Sequence, residues 1–311
     1  MTGQPVEQLR IAIVGAGAIG SYYAALLARA GHDVRLYARG PHLERIRAAG
    51  LSVRTSNENF TVPVVATDRA ADLDGAAYAL LSVKSYSLAE VAPVLAPLAN
   101  DGAAIVPLLN GVDVAERIGT LGVRPSAVLG GSTTMSVVRP EPGVVERRSP
   151  FQRAVIGELD GEISNRVTLV ARVLDKAGVE TRVSGDIRHD LWRKFAFLVP
   201  LAAACSLRRA PIGDVLSTAE GHDLVRQALH EIIEVGRAVG VNWSDTDESQ
   251  SLMAIEALSP AMKPSFLLDV ERGGRTEVDL LSGTVSRLGR QHGVPTPVHD
   301  RVRDAFAHTS V

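Results

Sequence analysis

Six residues near the start of the chain, Gly15-Ala16-Gly17-Ala18-Ile19-Gly20, carry the first chemistry readable from residue type and spacing. Glycine at the first position permits a tight turn. At the third it leaves no side chain in the way of a bulky anion, and at the sixth it allows close packing of the helix that follows. The free N–H groups at the start of such a helix face anionic oxygens. The run Leu9-Arg10-Ile11-Ala12-Ile13-Val14 before the loop reads as a short buried strand. Ser21 to Ala30 after it reads as an Ala/Leu-rich helix closed by Gly31, and Val34 to Tyr37 as the next strand. Strand, glycine turn, helix and strand make the first unit of a parallel sheet that holds a dinucleotide by its pyrophosphate.

The end of the second strand selects among dinucleotides. An acid there would hold the ribose hydroxyls of NAD, but the chain has Leu36-Tyr37-Ala38-Arg39, with Asp33 placed before the strand. The Arg39 guanidinium matches a 2′-phosphate, which favours NADP. Its other reading is an ordinary solvated arginine. FAD uses the same glycine loop and normally the same acid, so the missing acid argues against a flavin. A regulator that binds NADP without turnover is a further alternative.

Polar groups recur after later strands. Tyr78 to Val83 runs into Lys84-Ser85, and Ala103 to Leu108 into Leu109-Asn110-Gly111. Open α/β sheets bind ligands at those carboxyl ends, although Asn110-Gly111 also reads as a plain turn. His189 and His299 stand isolated without metal-ligand spacing, so no metal is expected. Cys205, amid Ala and Leu, reads as a core residue. Arg208-Arg209 reads as a solvated helix end.

The elements that must position these groups follow from pattern. Pro41 to Ala49, Leu88 to Leu98 and Asn165 to Lys176 read as helices, and residues 51–65 as two β-like runs around Ser56-Asn57-Glu58-Asn59, a hairpin or a small excursion. From Val128 to Ile156, alternation around Pro140-Glu141-Pro142-Gly143 predicts antiparallel strands. After Ser184-Gly185-Asp186 the pattern is helical: one helix through Trp192 and Lys194, one within Thr218 to Gly240, one over Thr276 to Gln291. The fold class is therefore α/β: a Rossmann-type domain over residues 1–184 and an all-helical domain over 185–311.

Bulk properties agree. The 311 residues suffice for two domains, and 33 basic against 35 acidic residues leave a net charge of -2, with no sign of nucleic-acid or membrane binding. A single cysteine excludes an internal disulfide. The longest apolar run, Phe195 to Leu207, is too short to span a bilayer, and the polar N-terminus has no leader-like core. A cytoplasmic location is expected.

The chain resembles the ketopantoate reductase (2-dehydropantoate 2-reductase) family over nearly its whole length. The resemblance rests on the glycine loop, Leu81-Ser82-Val83-Lys84, Leu109-Asn110-Gly111-Val112, Asp190-Leu191-Trp192-Arg193-Lys194 and Thr276-Glu277-Val278-Asp279. It implies reduction of a 2-keto acid with NADPH in a cleft between the two domains, with ketopantoate to pantoate, in the route to pantothenate, as the leading reaction. A small carbonyl substrate and a homodimer are implied as partners. Carried over residue by residue, the catalytic lysine is Lys194, the essential acid Glu277, and the supporting asparagine Asn110. Lys84 is the earlier cleft lysine, Ser265 the substrate-binding serine, and Arg39 the residue meeting the NADP phosphate.

The residues themselves support part of this. A ketone reduced by hydride needs a proton donor at the developing alkoxide. Lys194 opens the buried stretch Phe195-Ala196-Phe197-Leu198-Val199 and requires a partner, unless it snorkels to the surface. Trp192 is expected to pack so as to fix Lys194. Glu277 sits at the expected helix start, where an acid also suits the helix dipole. One departure stands out. The family's substrate-binding asparagines four and eight residues after the lysine are Leu198 and Ala202 here. Losing two amides changes substrate recognition, so another NADP-dependent dehydrogenase, acting on a bulkier or more apolar carbonyl or an imine, is the alternative.

Overall fold

The computed structural model describes residues 8–307; the polar residues before them, on which the absence of a leader was read, lie outside that range. The chain packs as two units. One comprises the described residues up to Leu109 together with Val114–Ile187, the other Asn110–Asp113 together with the described residues from Arg188 onward.

In chain order the first unit builds β1 (Arg10–Val14), α1 (Ala18–Arg29), β2 (Asp33–Tyr37), α2 (Gly40–Ala49), β3 (Leu51–Arg54), β4 (Asn59–Val62) and β5 (Val65–Thr67). It continues with β6 (Tyr78–Leu81), α3 (Leu88–Asn100), β7 (Ala104–Pro107), α4 (Val114–Thr120), β8 (Gly130–Thr134), β9 (Val137–Glu141) and β10 (Val144–Arg147). It ends with β11 (Arg153–Gly157), α5 (Asn165–Lys176) and β12 (Glu180–Val183). The main sheet has the order β5-β2-β1-β6-β7 and every pairing in it is parallel. β1 is central and covered on both faces, which is why it reads as an almost unbroken apolar run. The chain winds outward from β1 through β2 to β5, then crosses to β6 and β7. The order thus reverses between β1 and β6, where open α/β sheets place ligands.

Two smaller sheets complete this unit. The hairpin β3–β4 forms around Ser56–Asn59 as the sequence predicts, and β9–β10 is antiparallel across the Pro142-Gly143 turn. The two hairpins join through a parallel β3–β10 pairing. β8 and β12 flank β11, antiparallel and parallel respectively. β12 and α4 carry no strong pattern: they are 4 and 7 residues long and rich in polar side chains, too short for periodicity to declare them.

The second unit is helical: α6 (Ile187–Arg208), α7 (Ile212–Leu216), α8 (Ala219–Ala238), α9 (Asp247–Glu256), α10 (Ser265–Glu271), α11 (Ser282–His292) and α12 (Pro297–Phe306). Its core gathers Trp192, Phe195, Val199, Leu229, Ile232, Phe266, Val285 and Val302. Glu231 of α8 is buried and caps α12, accepting from the backbone N–H of Val298 at 2.8 Å and of His299 at 3.1 Å. Arg209, at φ 49°, ends α6 in the left-handed region, an exposed helix terminus as its sequence suggests.

One expected helix is shorter than its pattern. The stretch from Thr276 becomes helical only at Ser282. Before that, the Glu277 carbonyl accepts N–H groups from both Leu280 and Leu281 in a turn, and Leu281 (φ −94°, ψ −100°) lies outside helical geometry. Glu277 therefore does not occupy a helix's first turn, and the helix-dipole reading of it falls. Among the described residues no helix is long and apolar enough to cross a membrane.

Candidate functional site

The glycine loop takes its shape from steric necessity. Gly15 has φ +114°, and a Cβ there would stand 2.7 Å from the backbone carbon of Ser82. A Cβ on Gly20 would stand 2.0 Å from the Gly15 carbonyl oxygen and 2.2 Å from Ser82 Oγ. The close approach that demands this glycine is thus between the first turn of α1 and the loop's own backbone. At Gly17 the nearest atom to such a Cβ is 3.8 Å away, so its face is open. Ser82, just past β6, fastens the turn by donating from Oγ to the Gly15 carbonyl at 2.9 Å. No side chain caps α1 at Gly17, which leaves its leading N–H groups for an anion. Ala16, Ala18 and Ile19 complete the loop, whose open backbone could hold a pyrophosphate. Sequence reading missed Arg139 of β9, which reaches the loop and donates from Nη1 to the Ala16 carbonyl at 3.1 Å.

Around the end of β2 the arrangement is richer than its sequence. Asp33 is the first residue of β2, at the opposite end from Arg39, and is engaged by Arg10 at 2.7 Å and Arg35 at 2.8 Å. That accounts for its unavailability to a ribose. Arg39 stands in extended conformation just before α2 and is ion-paired with Glu90 of α3. The acid absent from the end of the strand thus arrives from another element. A phosphate bound at Arg39 must share or displace that carboxylate. Lys84, half-buried, follows β6 at the carboxyl edge of the sheet, and its carbonyl accepts from Ser87 N at 2.9 Å.

In the helical unit, Asn110, Leu198, Ala202, Ser265 and Glu277 line one narrow pocket together with Pro264, Phe266, Asp269 and Leu281. Its volume is about 10 Å³, the room of about one water. Lys194, Leu198 and Ala202 follow one another at intervals of four along α6, hence on one helix face. Lys194 Nζ donates to Asn110 Oδ1 at 2.8 Å. Desolvation pulls its pKa from 10.5 down to about 8, because burial penalises the charged form. At neutral pH the ammonium still holds its proton, yet releases it far more readily than a surface lysine. Asp269 and Phe266 were not singled out from the sequence. The signal available was position: Asp269 lies four residues after Ser265, on the same face of α10.

Neighbouring residues pack α6 into the helical core. Trp192, 2% exposed, packs edge-on against Phe195 and Trp243, with ring centroids 5.8 and 6.4 Å apart. His189 is not isolated, as its sequence context suggested: its Nε2 lies 3.0 Å from Asp247 Oδ2. His299 is wholly buried, bonded to Ser282 Oγ and the Ala228 carbonyl, and burial depresses its pKa to about 4. Cys205 is buried in the helical core, which raises its thiol to about 12 and makes it inert. Among the described residues no group of His, Cys, Asp and Glu is gathered as a metal site would need.

Comparison with known proteins agrees over both units. The family model described as Ketopantoate reductase PanE/ApbA matches residues 11–161, and its C-terminal companion matches residues 186–309. The 2-dehydropantoate 2-reductase of Mesorhizobium japonicum is 32% identical, with 94% of this chain and 95% of that protein covered. An uncharacterized oxidoreductase of Bacillus subtilis is 27% identical, at 94% and 96% coverage. Among solved structures, the 2-dehydropantoate 2-reductase of Geobacter metallireducens GS-15 superposes with TM-score 0.88 at 29% identity, covering 96% of this chain and 99% of that one. The glycine cradle, the lysine–asparagine pair and these full-length matches place the chain in the ketopantoate reductase family of oxidoreductases.

Proposed function

We propose that this enzyme reduces a 2-keto acid to a 2-hydroxy acid with NADPH, ketopantoate to pantoate being the leading reaction. The observation that carries this reading is the Lys194–Asn110 bond beside a pocket that Ser265 and Glu277 also line. The dinucleotide, when bound, supplies the hydride. The glycine loop would hold its pyrophosphate, with Arg139 adding positive charge and Arg39 meeting the 2′-phosphate. Lys84 would serve the cofactor and substrate carboxylate as a second cation.

Lys194 then carries the proton step. Negative charge grows on the carbonyl oxygen as the carbonyl carbon is reduced, and the ammonium bonds to that oxygen and donates its proton. Asn110 accepts from Nζ and fixes its direction. Glu277 orients the lysine or accepts from the forming hydroxyl. Ser265 binds the substrate's polar end.

A second reading has its own observation. Leu198, Ala202, Phe266 and Leu281 give the pocket an apolar wall, and α6 contributes no amide at 198 or 202 to recognise a substrate hydroxyl. Such a wall favours contact with an apolar side chain, so a 2-keto acid bulkier and more apolar than ketopantoate is the second candidate. Steady-state assay with NADPH and a panel of ketopantoate, branched and aromatic 2-keto acids, aldehydes and imines separates the two. Highest kcat/KM on ketopantoate supports the first, highest kcat/KM on an apolar 2-keto acid the second, and no turnover of any 2-keto acid contradicts both.

A further inference from the structure

The four residues Asn110–Asp113 belong with the helical unit, although the chain on either side of them packs in the first. So short an excursion needs an anchor if Asn110 is to stay on Lys194. Val112 packs against the helical core. Asp113, 7% exposed, brings a carboxylate into the same unit. Its Oδ2 accepts from Arg287 Nη2 of α11 at 2.5 Å. Thr284 Oγ1 also approaches Oδ2, at 3.4 Å, but its single proton has a shorter acceptor in the Leu280 carbonyl, at 2.9 Å. Arg287 is therefore the stronger partner. A buried carboxylate bound by a guanidinium has a fixed place, since pulling it off its partner leaves a buried charge unpaired.

We infer that the Asp113–Arg287 pair is a positioning device for the proton donor, holding the Asn110 loop so that its amide stays on the Lys194 ammonium. The inference rests on the reading of Lys194 as that donor. Arg287 does not line the pocket, so we assign it a role exerted through Asn110. An amide oxygen that accepts from Nζ favours the charged lysine. Loosening the loop therefore misdirects the proton and also makes it easier to lose.

The test compares Arg287→Ala, Arg287→Lys and the double variant Asp113→Asn/Arg287→Met with wild type and with Lys194→Ala. The double variant removes both charges, so no carboxylate is left buried alone. The readouts are NADPH Kd, kcat and the pH dependence of kcat/KM on the best 2-keto acid. For Arg287→Ala and the double variant we expect kcat to fall about tenfold, a fraction of what general-acid catalysis supplies. The alkaline fall of kcat/KM should move about half a pH unit or more toward lower pH, with NADPH Kd unchanged. Arg287→Lys should restore most of both. A purely structural salt bridge would lower the melting temperature and leave the pH profile in place. If Lys194→Ala removes the alkaline fall while the Arg287 variants keep wild-type kcat and profile, the positioning inference is wrong and the donor stands. If Lys194→Ala leaves kcat and the fall unchanged, the donor reading and this inference both fail.

Discussion

The glycine loop and the helical pocket do their work by opposite means. Six consecutive residues make the loop, and what it offers an anion is the uncapped backbone N–H groups at the start of α1. The pocket is made of side chains from four separate stretches, around 110, 198–202, 264–269 and 277–281, each held by packing remote from it. The first is a local device with no room for a Cβ at Gly15 or Gly20. The second is an assembly whose chemistry can be altered one side chain at a time, as Leu198 and Ala202 illustrate. Cofactor binding and catalysis should accordingly be separable by mutation.

The largest expected effect lies in the pocket. Lys194→Ala should lower kcat by about 10²–10⁴-fold, the usual share of positioned proton transfer, while NADPH Kd, measured by fluorescence titration, stays within about twofold. The converse substitution is Gly20→Val. Its side chain would overlap the Gly15 carbonyl and Ser82, a clash costing about 3 kcal/mol, so NADPH binding should weaken about a hundredfold. Calorimetric titration decides it. Wild-type affinity in that variant would mean the loop does not need its close approach.

Smaller effects sharpen the contrast. Arg39→Ala should raise KM for NADPH about tenfold or more, the loss of a charge-assisted bond to phosphate, and leave KM for NADH nearly unchanged. Equal effects on both cofactors would return Arg39 to a surface ion pair with Glu90. Leu198→Asn/Ala202→Asn should shift the ranking of kcat/KM several-fold toward small polar 2-keto acids, since amides there could bond substrate oxygens. An unchanged ranking on a folded protein removes those positions from the recognition surface.

Legibility in the sequence divides along the same line. The glycine loop, the strands flanking it and the helices α1, α2, α3, α5, α6 and α8 are visible because local sterics and hydrophobic period dictate them. The antiparallel pairs β3–β4 and β9–β10 are visible through their turns. Their union into one sheet is not, because the β3–β10 pairing joins residues about ninety positions apart and no local pattern encodes it. Glu277 is visible as a residue but not in its setting, since the helical pattern runs through a turn that Leu281 breaks. Asn110 and Lys194 are 84 residues apart in sequence. Only the family resemblance suggested the pair, and only folding reveals the bond. Arg139, Glu90 and Asp113 carried no signal at all, being ordinary charged residues until an element brings each to its partner.

The central claim, that a half-buried Lys194 donates the proton, is tested most directly by the pH dependence of kcat/KM for NADPH-dependent reduction, measured from pH 6 to 10 on wild type and on Lys194→Ala. The free enzyme's essential acid sets that profile. Burial lowers the Lys194 pKa to about 8, so the donor is protonated below that pH and lost above it. Wild-type kcat/KM should be level up to about pH 8 and then fall about tenfold per unit, and the residual activity of Lys194→Ala should lack that fall. A wild-type profile flat to pH 10, or the same fall persisting in Lys194→Ala, would contradict the assignment.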